Sequence, residues 1–341
     1  MVSTPSVRPP SMVDVAREAG VAHVTVSRVL NGHPSVRPET RERVLAAISL
    51  LGYHRNDLAR ALKSGRSMTI GVVIAGSELF ELPRVLRGIE AAAQKAGYWV
   101  NLASWQGGTA EQLAATVDRV SGQATEGVVI IADRPVVEGA LEQMSTRVPV
   151  SVVMSGEIEN PAIGSVELDQ RLGARLATQH LLDLGHRRIV HLTGRLDTFD
   201  ARARVDGWRT TMEEAGIAQP ELLEGDFTGA SGFRLGTELA QRQDRPTAIF
   251  AGNDQMAMGV LSAFAEHGVR VPHDISLVGF DDLRGAEYLV PALTTVRQDF
   301  FALGRTAIEV LIDLIGGVVP RHYLIEPILV PRKSSAPPRS S

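Results

Sequence analysis

The sequence contains 341 residues, of which 44% are hydrophobic and 22% are charged, and it has no cysteine. This length suits two or three domains, and the composition is that of a globular protein with a buried core. Without cysteine, disulfides and thiolate metal sites are excluded, and a reducing cytosol fits. No apolar run reaches the roughly 18 residues that a membrane span needs.

Positive charge is concentrated at the start of the chain. Residues 1–66 contain ten Lys or Arg against five Asp or Glu, whereas the whole chain has a formal net charge of −4. Such asymmetry is expected when only the first part of a protein contacts phosphates. Residues 1–10 are predicted to be a disordered tail, and because they lack the apolar segment of a secretory signal, we expect a cytoplasmic protein.

Two short helices joined by a glycine are predicted after this tail. Ser11 is followed three residues later by an acid, which indicates a helix N-terminus. Gly20 stands where a left-handed residue ends that helix. The second helix, about 23–30, has Val26 and Val29 on its inner face. This pattern predicts a helix-turn-helix, although an ordinary helical hairpin would also give it.

A third helix and a short helical linker segment follow. Pro38 suits a first helical position and Gly52 a helix end, and the apolar face between them is predicted to consist of Val44, Leu45, Ile48 and Leu51. Arg37 stands where a capping Ser, Thr or Asp is usual, so this helix is expected to begin weakly. Residues 56–64 could form a helix too short to be stable alone in water.

From Met68 onward, apolar runs of strand length alternate with helical segments. The predicted strands are 69–74, 99–104, 127–131, 150–154, 189–192, 248–251 and 276–280. The predicted helices are 84–96, 110–122, 137–144, 169–184, 203–215, 231–242 and 254–267. This alternation predicts two parallel-sheet lobes with a cleft at the carboxyl ends of the strands.

Several different short motifs stand out in the head and in the body of the chain. In the head they are Val13-Asp14-Val15-Ala16, Gly20-Val21, Thr25-Val26-Ser27-Arg28-Val29-Leu30-Asn31, Thr40-Arg41, Gly52-Tyr53 and Asn56. In the body they are Leu184-Gly185-His186, Arg202-Ala203-Arg204, Gly207-Trp208, Asn253-Asp254, Gly279-Phe280-Asp281-Asp282 and Leu293-Thr294-Thr295. Together they resemble the LacI/GalR family of bacterial transcription regulators over nearly the full length.

This resemblance implies an all-α helix-turn-helix head and an α/β bilobed body of the periplasmic-binding-protein type. The implied parts are a DNA-binding domain at 11–55, a hinge helix and linker at 56–67, an effector-binding and dimerisation domain at 68–333, and a tail at 334–341. The N-lobe would span about 69–168 and 298–322, and the C-lobe 169–297 and 323–333. The chain would cross between lobes near Leu168, Val296 and Tyr323.

DNA contacts are implied for the outer side of the second head helix. They fall on His23, Val24, Thr25, Ser27, Arg28 and Asn31. Because a guanidinium can pair with N7 and O6 of guanine, Arg28 is expected to read a base, a phosphate contact being the alternative. Thr25, Ser27 and Asn31 are expected on phosphates, and Val24 on a thymine methyl or over the turn.

The segment 56–64 resembles the hinge helix of the family. The implied minor-groove residues are Asn56, Ala59, Leu62 and Lys63. Leu62 would insert between base pairs and bend the duplex. The alternative is that Ala59 and Leu62 dock on the body.

In the cleft, Arg202 and Asp281 match positions at which the family holds effector hydroxyls through charge-assisted hydrogen bonds. Further candidates are Asn253, Phe227, Asp133 and Gln298. Met154 stands where some family members have an acidic residue, a departure that bears on the sugar contacts.

The sequence therefore predicts a sequence-specific repressor, released from palindromic double-stranded operator DNA by a mono- or disaccharide. A homodimer is expected in preference to a tetramer, because residues 331–341 lack the heptads of a tetramer-forming coiled coil. The alternatives are a periplasmic-type sugar-binding protein, a corepressor-dependent regulator with a non-sugar ligand, and an enzyme. No G-x-G-x-x-G, Walker loop, nucleophile elbow or metal cluster occurs, so no catalytic residue, cofactor or metal is predicted.

Overall fold

The computed structural model divides into two compact units, Met1–Ser67 and Met68–Ser341. It describes residues 8, 10–53, 66–76, 81–105, 107–133, 137–142, 144–156, 158, 160–217 and 220–339. The predicted hinge helix at 56–64 lies outside the described residues.

The first unit contains helices α1 (Met12–Glu18), α2 (His23–Leu30) and α3 (Pro38–Leu51). A capping box at Ser11 begins α1, as predicted. Gly20 and Gly52 have φ angles of 61° and 59°, so both adopt the left-handed conformation predicted from the sequence. The helix-turn-helix head is therefore confirmed.

Two details of α3 bear on its prediction. The N-cap Arg37 makes no side-chain capping bond, which confirms the uncapped start. Leu45, expected on the apolar face, is exposed, because Val44 and Ala47 turn towards the other two helices instead. The prediction was therefore wrong for Leu45, whereas Ile48 and Leu51 pack against the same core as Val44.

The described residues of the second unit form twelve strands, β1 to β12, in chain order. They are Thr69–Ala75, Trp99–Trp105, Gly127–Ala132, Val150–Val153, Ile163–Leu168, Ile189–Thr193, Leu222–Glu224, Ala248–Ala251, Ser276–Asp281, Thr294–Arg297, His322–Ile325 and Ile328–Val330. One sheet has the order β11-β5-β4-β3-β1-β2 and the other β12-β10-β9-β8-β6-β7. Every pairing is parallel except that of β12 with β10.

Eight helices described in this unit cover the sheets. Helices α4 to α11 are Leu82–Lys95, Ala110–Ser121, Glu138–Glu142, Gln170–Asp183, Phe199–Glu214, Gly229–Gln241, Asp254–Glu266 and Phe300–Ile315. Each sheet has hydrophobic cores on both faces, which is why its central strands read as continuous apolar runs. The predicted bilobed body with two parallel-sheet lobes is confirmed.

The chain crosses between the lobes at three places. They follow Leu168 at the end of β5, Arg297 at the end of β10 and Ile325 at the end of β11. The first two lie close to the predicted positions. The third comes after Tyr323, because β11 pairs with β5 and so belongs to the N-lobe.

Helix α11 was not predicted as an element. It packs against α4 in the core of the N-lobe, although the two helices are some 200 residues apart in the chain. Their close approach depends on Gly304 and Gly88, since a Cβ on either would collide with the carbonyl oxygen of Val85 or Phe301. This pairing places Phe300, at the start of α11, beside the cleft.

The segment assigned to a tail belongs to the C-lobe up to at least Ala336. Ser334 is fully buried, and its Oγ donates to the carbonyl oxygen of Leu277 at 2.6 Å. The carbonyl oxygen of Ala336 accepts from Ser276 at 2.9 Å. The domain boundary at 333 is thus too early by several residues.

Candidate nucleic-acid interface and ligand cavity

Helix α2 presents a polar surface on a fixed core. Val26 and Val29 are buried against α1 and α3. On the opposite side His23, Val24 and Arg28 are exposed, and Asn31 is exposed at the C-cap. A rigid helix with exposed donors is the geometry by which helix-turn-helix domains enter the major groove.

Two of the proposed DNA contacts are less accessible. Thr25 and Ser27 are half-buried, and the Asn31 side-chain amide donates to the Ser27 hydroxyl at 3.5 Å. Short, half-buried side chains of this kind are better placed to contact phosphates than to reach the edges of bases. The proposed hinge contacts Asn56, Ala59, Leu62 and Lys63 lie outside the described residues.

A cavity of about 440 Å³ lies between the two lobes of the body. Strand ends and helix starts of both lobes meet there. The lining residues are Glu81, Asp133, Arg195, Thr198, Asp200, Arg204, Asp226, Phe227, Thr228, Asn253, Gln255, Asp281 and Phe300. Its position beyond the carboxyl ends of parallel strands matches the expected site.

Arg204 is the central cation of this cavity. Its side chain is 4% exposed, with Nε donating to Gln170 Oε1 at 2.9 Å and Nη1 to the Gly252 carbonyl oxygen at 2.5 Å. Nη2 lies 3.5 Å from Asp281 Oδ1 and 3.7 Å from Asp200 Oδ2. Since every edge of the guanidinium has a partner, its position is fixed before any ligand binds.

Aromatic rings support the same guanidinium. Its central carbon lies 4.0 Å from the centroid of the Phe280 ring and 5.6 Å from that of the Phe227 ring. Such cation–π contacts hold the guanidinium plane in a low-dielectric setting. Phe227 also lines the cavity, as predicted for an apolar sugar face.

Arg202 does not lie in the cavity, so its assignment to the ligand site is corrected. It is exposed, and its Nε donates to the Leu196 carbonyl oxygen at 2.7 Å. The reason is helical geometry: residues two apart on α8 face nearly opposite directions, and Arg204 takes the inner one. Sequence reasoning named the wrong arginine of the Arg202-Ala203-Arg204 motif.

Asp281 lies at the end of β9 with only 6% of its surface exposed. Burial raises the pKa of its carboxyl, while Arg204 and a hydrogen bond from Gln298 oppose the shift. Gln298 Nε2 donates to Asp281 Oδ1 at 2.8 Å, and Gln298 Oε1 accepts from Gln170 Nε2 at 2.9 Å. Gln298 is therefore a buried support of the carboxylate and not part of the cavity lining.

The remaining predicted residues line the cavity. Asn253 caps α10 by accepting from Met256 N at 2.9 Å, and it donates to the Phe227 carbonyl oxygen at 3.0 Å. Asp133, which follows β3, accepts through its main-chain oxygen from Phe199 N at 3.2 Å. That bond joins the N-lobe to the C-lobe at the cavity wall.

Sequence reasoning missed several lining residues, notably Glu81, Asp200 and Arg204. Trp208 offered a signal for two of them. It is 1% exposed, and steps of four residues back along a helix from a buried Trp reach Arg204 and then Asp200. No comparable signal marks Glu81, because it becomes part of the site only through the packing of α4.

A second buried carboxylate follows the cavity residue Asn253 in the chain. Asp254 accepts from Thr295 Oγ1 at 2.6 Å and from Leu283 N at 2.8 Å. Burial raises the pKa of this carboxyl to about 8. Within the described ranges, no group of three potential metal-ligating side chains occurs, and no described helix is long and apolar enough to cross a membrane.

Two family models match this chain. Residues 11–56 match "Bacterial regulatory proteins, lacI family", and residues 178–335 match "Periplasmic binding protein-like domain". The lactose operon repressor of Escherichia coli (strain K12) is 34% identical over 337 residues, covering 98% of this chain and 92% of that protein. The HTH-type transcriptional repressor PurR of Escherichia coli O1:K1 is 34% identical over 329 residues, covering 95% and 96%.

Solved structures agree. The lac repressor dimer bound to operator and the anti-inducer ONPF has a TM-score of 0.85 at 33% identity, covering 96% of this chain and 100% of that one. The complex of the transcriptional regulator CelR with cellobiose has a TM-score of 0.69 at 31% identity, covering 95% and 99%. Since both the head and the body are matched and a relative 34% identical covers 98% of the chain, this chain belongs to the LacI family of DNA-binding bacterial regulatory proteins.

Proposed function

We propose that this LacI-family repressor binds a palindromic operator as a cytoplasmic homodimer and is released by a small carbohydrate. The observation that carries the proposal is the pre-formed Arg204–Asp281 pair in a cavity walled by both lobes. A fixed guanidinium beside a carboxylate presents donors and acceptors together, which suits neighbouring hydroxyls of a sugar. A solved relative is a complex with cellobiose, which supports this ligand class.

DNA recognition is assigned to the exposed face of α2. Arg28 projects from that face, and we expect it to pair with guanine in each half-site. His23 and Val24 are the other base-edge residues, with Thr25, Ser27 and Asn31 on phosphates. For the linker, we keep the proposal that Leu62 inserts into the minor groove, flanked by Asn56, Ala59 and Lys63.

Two exposed apolar patches support a dimer. Tyr288 and Val290 are 78% and 93% exposed on the C-lobe, and Trp99 is 71% exposed on edge strand β2 of the N-lobe. Large exposed apolar side chains of this kind mark association surfaces. The lac repressor relative is described as a dimer on its operator.

Selection of binding sites from random DNA tests the proposal. We expect a two-fold symmetric site whose half-sites lie about 10 base pairs apart, centre to centre. Arg28→Ala should weaken binding by about 1–3 kcal/mol and relax preference at one base position per half-site.

The matched control is Arg17→Ala, which removes an exposed arginine from the last turn of α1. This variant should retain the full base preference, even if its affinity falls slightly. A single asymmetric site, or no sequence preference at low salt, would contradict the proposed function.

A further inference from the structure

The cavity contains more carboxylates than guanidiniums. The carboxylates are Glu81, Asp133, Asp200, Asp226 and Asp281, and the guanidiniums are Arg195 and Arg204. The excess does not by itself define a ligand, since hydrogen bonds and helix termini also contribute to the local potential. The cavity could bind an anionic ligand only if these two arginines can donate hydrogen bonds to it.

Both guanidiniums already donate hydrogen bonds within the protein. Arg204 donates to Gln170 and Gly252 and lies beside two carboxylates. Arg195 donates from Nε to Asp197 Oδ1 at 3.1 Å. A phosphate or carboxylate group needs several N–H donors directed at it, and an anion here would compete with acceptors that already hold these arginines.

Helix N-termini are the remaining source of positive potential at the cavity. Their caps, however, each use one N–H of the first turn: Thr198 Oγ1 accepts from Ala201 N at 3.3 Å, and Thr228 Oγ1 accepts from Ser231 N at 3.2 Å. Asp226 Oδ1 also accepts from Thr228 N at 2.9 Å. Since a helix dipole amounts to roughly half a charge, acids at these positions offset it.

Carboxylates from the two lobes meet in the cavity. Glu81 begins α4 of the N-lobe, and Asp200 lies in the first turn of α8 of the C-lobe. Glu81 pairs with Arg84 at 3.1 Å, and Asp200 accepts from Ser155 Oγ at 2.6 Å. Both lie close enough to Asp281 to raise its pKa. Asp281 is therefore already repelled by both of these acids, and it shares Arg204 Nη2 with Asp200.

We infer that this cavity selects against anionic ligands, so the effector carries hydroxyl or ammonium groups and no phosphate or carboxylate. The inference rests on the proposed function and specifies the ligand class of the same site. A bound phosphate would bring a further negative charge to three acids that are already close together. An ammonium group would relieve their repulsion, and neutral hydroxyls could donate to their oxygens without adding charge.

Matched sugars test this selectivity on the full-length protein. Glucose, galactose and mannose are each compared with their 2-amino-2-deoxy and 6-phosphate forms, by thermal shift and by release from the selected operator. For each sugar that acts, the 6-phosphate should bind at least about tenfold more weakly than its neutral parent. The aminated form should bind at least as tightly as that parent.

The outcomes bear differently on the inference and on the proposed function. A 6-phosphate that binds as well as its neutral parent would overturn the inference and leave the carbohydrate-released repressor standing. If no form of any sugar shifts melting or operator binding, the carbohydrate effector fails, and the inference fails with it. Symmetric operator binding would then still identify the repressor.

Charge variants distinguish electrostatic exclusion from a lack of space. Glu81→Gln with Asp200→Asn keeps acceptors for Arg84 and Ser155 while removing two charges. The dissociation constant of the 6-phosphate, divided by that of the neutral sugar, should be several-fold smaller in this variant than in the parent. The matched control is Glu90→Gln, an exposed acid on the same helix as Glu81 that does not line the cavity. An unchanged ratio in the double variant would overturn the inference.

Discussion

At the scale of single residues, Arg204 and Arg202 form an internal comparison. Arg204 is buried and holds two carboxylates, so Arg204→Ala leaves Asp281 buried without its cation, which costs about 3–5 kcal/mol. Arg202 is exposed and bonds one carbonyl oxygen. Arg202→Ala should change the free energy of unfolding by no more than about 0.5 kcal/mol.

Urea unfolding and operator affinity with and without effector check both substitutions. Arg204→Ala should lower stability and abolish the effector response, whereas Arg202→Ala should respond like the parent. A lost response in Arg202→Ala with unchanged melting would restore the original assignment and displace the corrected one.

Asp254 predicts a pH dependence of stability. Its pKa is about 8 in the folded protein and about 3.9 in an unfolded chain. The unfolded state therefore binds fewer protons between these values, so stability is fully present below about pH 4 and is lost as the pH rises through 8. The slope from this group is at most about 1.4 kcal/mol per pH unit.

Asp254→Asn should remove this slope. An amide can accept from Leu283 N and donate to the Thr295 hydroxyl, so both hydrogen-bond partners are kept. The difference in unfolding free energy between variant and parent should therefore grow in the variant's favour from pH 5 to pH 8. Parallel stability curves across that range would show that Asp254 is ionised when folded.

The structural role of a residue was predictable from the sequence where that role depends on neighbouring residues in the chain. Ser11, Gly20 and Gly52 act through their own turns, and all three lie as expected. The choice between Arg202 and Arg204 depends on where α8 begins. With the start placed at 203 and not at Phe199, Arg202 lay outside the predicted helix and could not be assigned to its outer face.

At the scale of elements, a chain of buried amides connects the cavity to the crossovers. Gln170 begins α7 just after the first crossover, and Gln298 lies in the second. They bond each other at 2.9 Å, and each bonds one member of the Arg204–Asp281 pair. The ligand-binding pair and the connections between lobes thus share one hydrogen-bond network.

Gln298→Leu should disrupt this network. It leaves Asp281 and Gln170 without a partner, at a cost of about 1–3 kcal/mol in unfolding free energy. Effector affinity should fall as well, because Arg204 and Asp281 lose their alignment. The control is Gln179→Leu on the exposed side of α7, where Gln179 bonds only Asp183 at 2.7 Å. Equal effects of the two substitutions would refute a special role for the network.

Elements at the crossovers were the hardest to predict. β10, β11 and β12 have three or four residues each, too few for periodicity to identify them. Their pairing partners lie in distant parts of the chain, as β11 with β5 shows. Long, central strands such as β1 and β3 were predictable because burial on both faces leaves a continuous apolar run.

For the whole molecule, association of two copies should require a patch on each lobe. Val290→Asp places a charge in the C-lobe patch, and Trp99→Asp does so on edge strand β2. Burying an unpaired charge in an interface costs several kcal/mol, so the double variant should be monomeric by light scattering at micromolar concentration. Each chain should still fold, because both side chains are exposed within one chain, and the melting temperature should fall only by what dimerisation contributes.

Operator binding gives the decisive comparison for this pair of substitutions. The two helix-turn-helix heads of a dimer bind the two half-sites of a palindrome together. A monomer binds only one half-site at a time, so its operator affinity should fall by a factor of about 10² or more. Val319→Asp is the control: this side chain is 76% exposed and lies just before β11, at the opposite edge of the N-lobe sheet from β2. It should leave the dimer and its operator affinity intact. If the double variant stayed dimeric and the Val319→Asp variant became monomeric, the dimer interface would instead include the surface that follows α11.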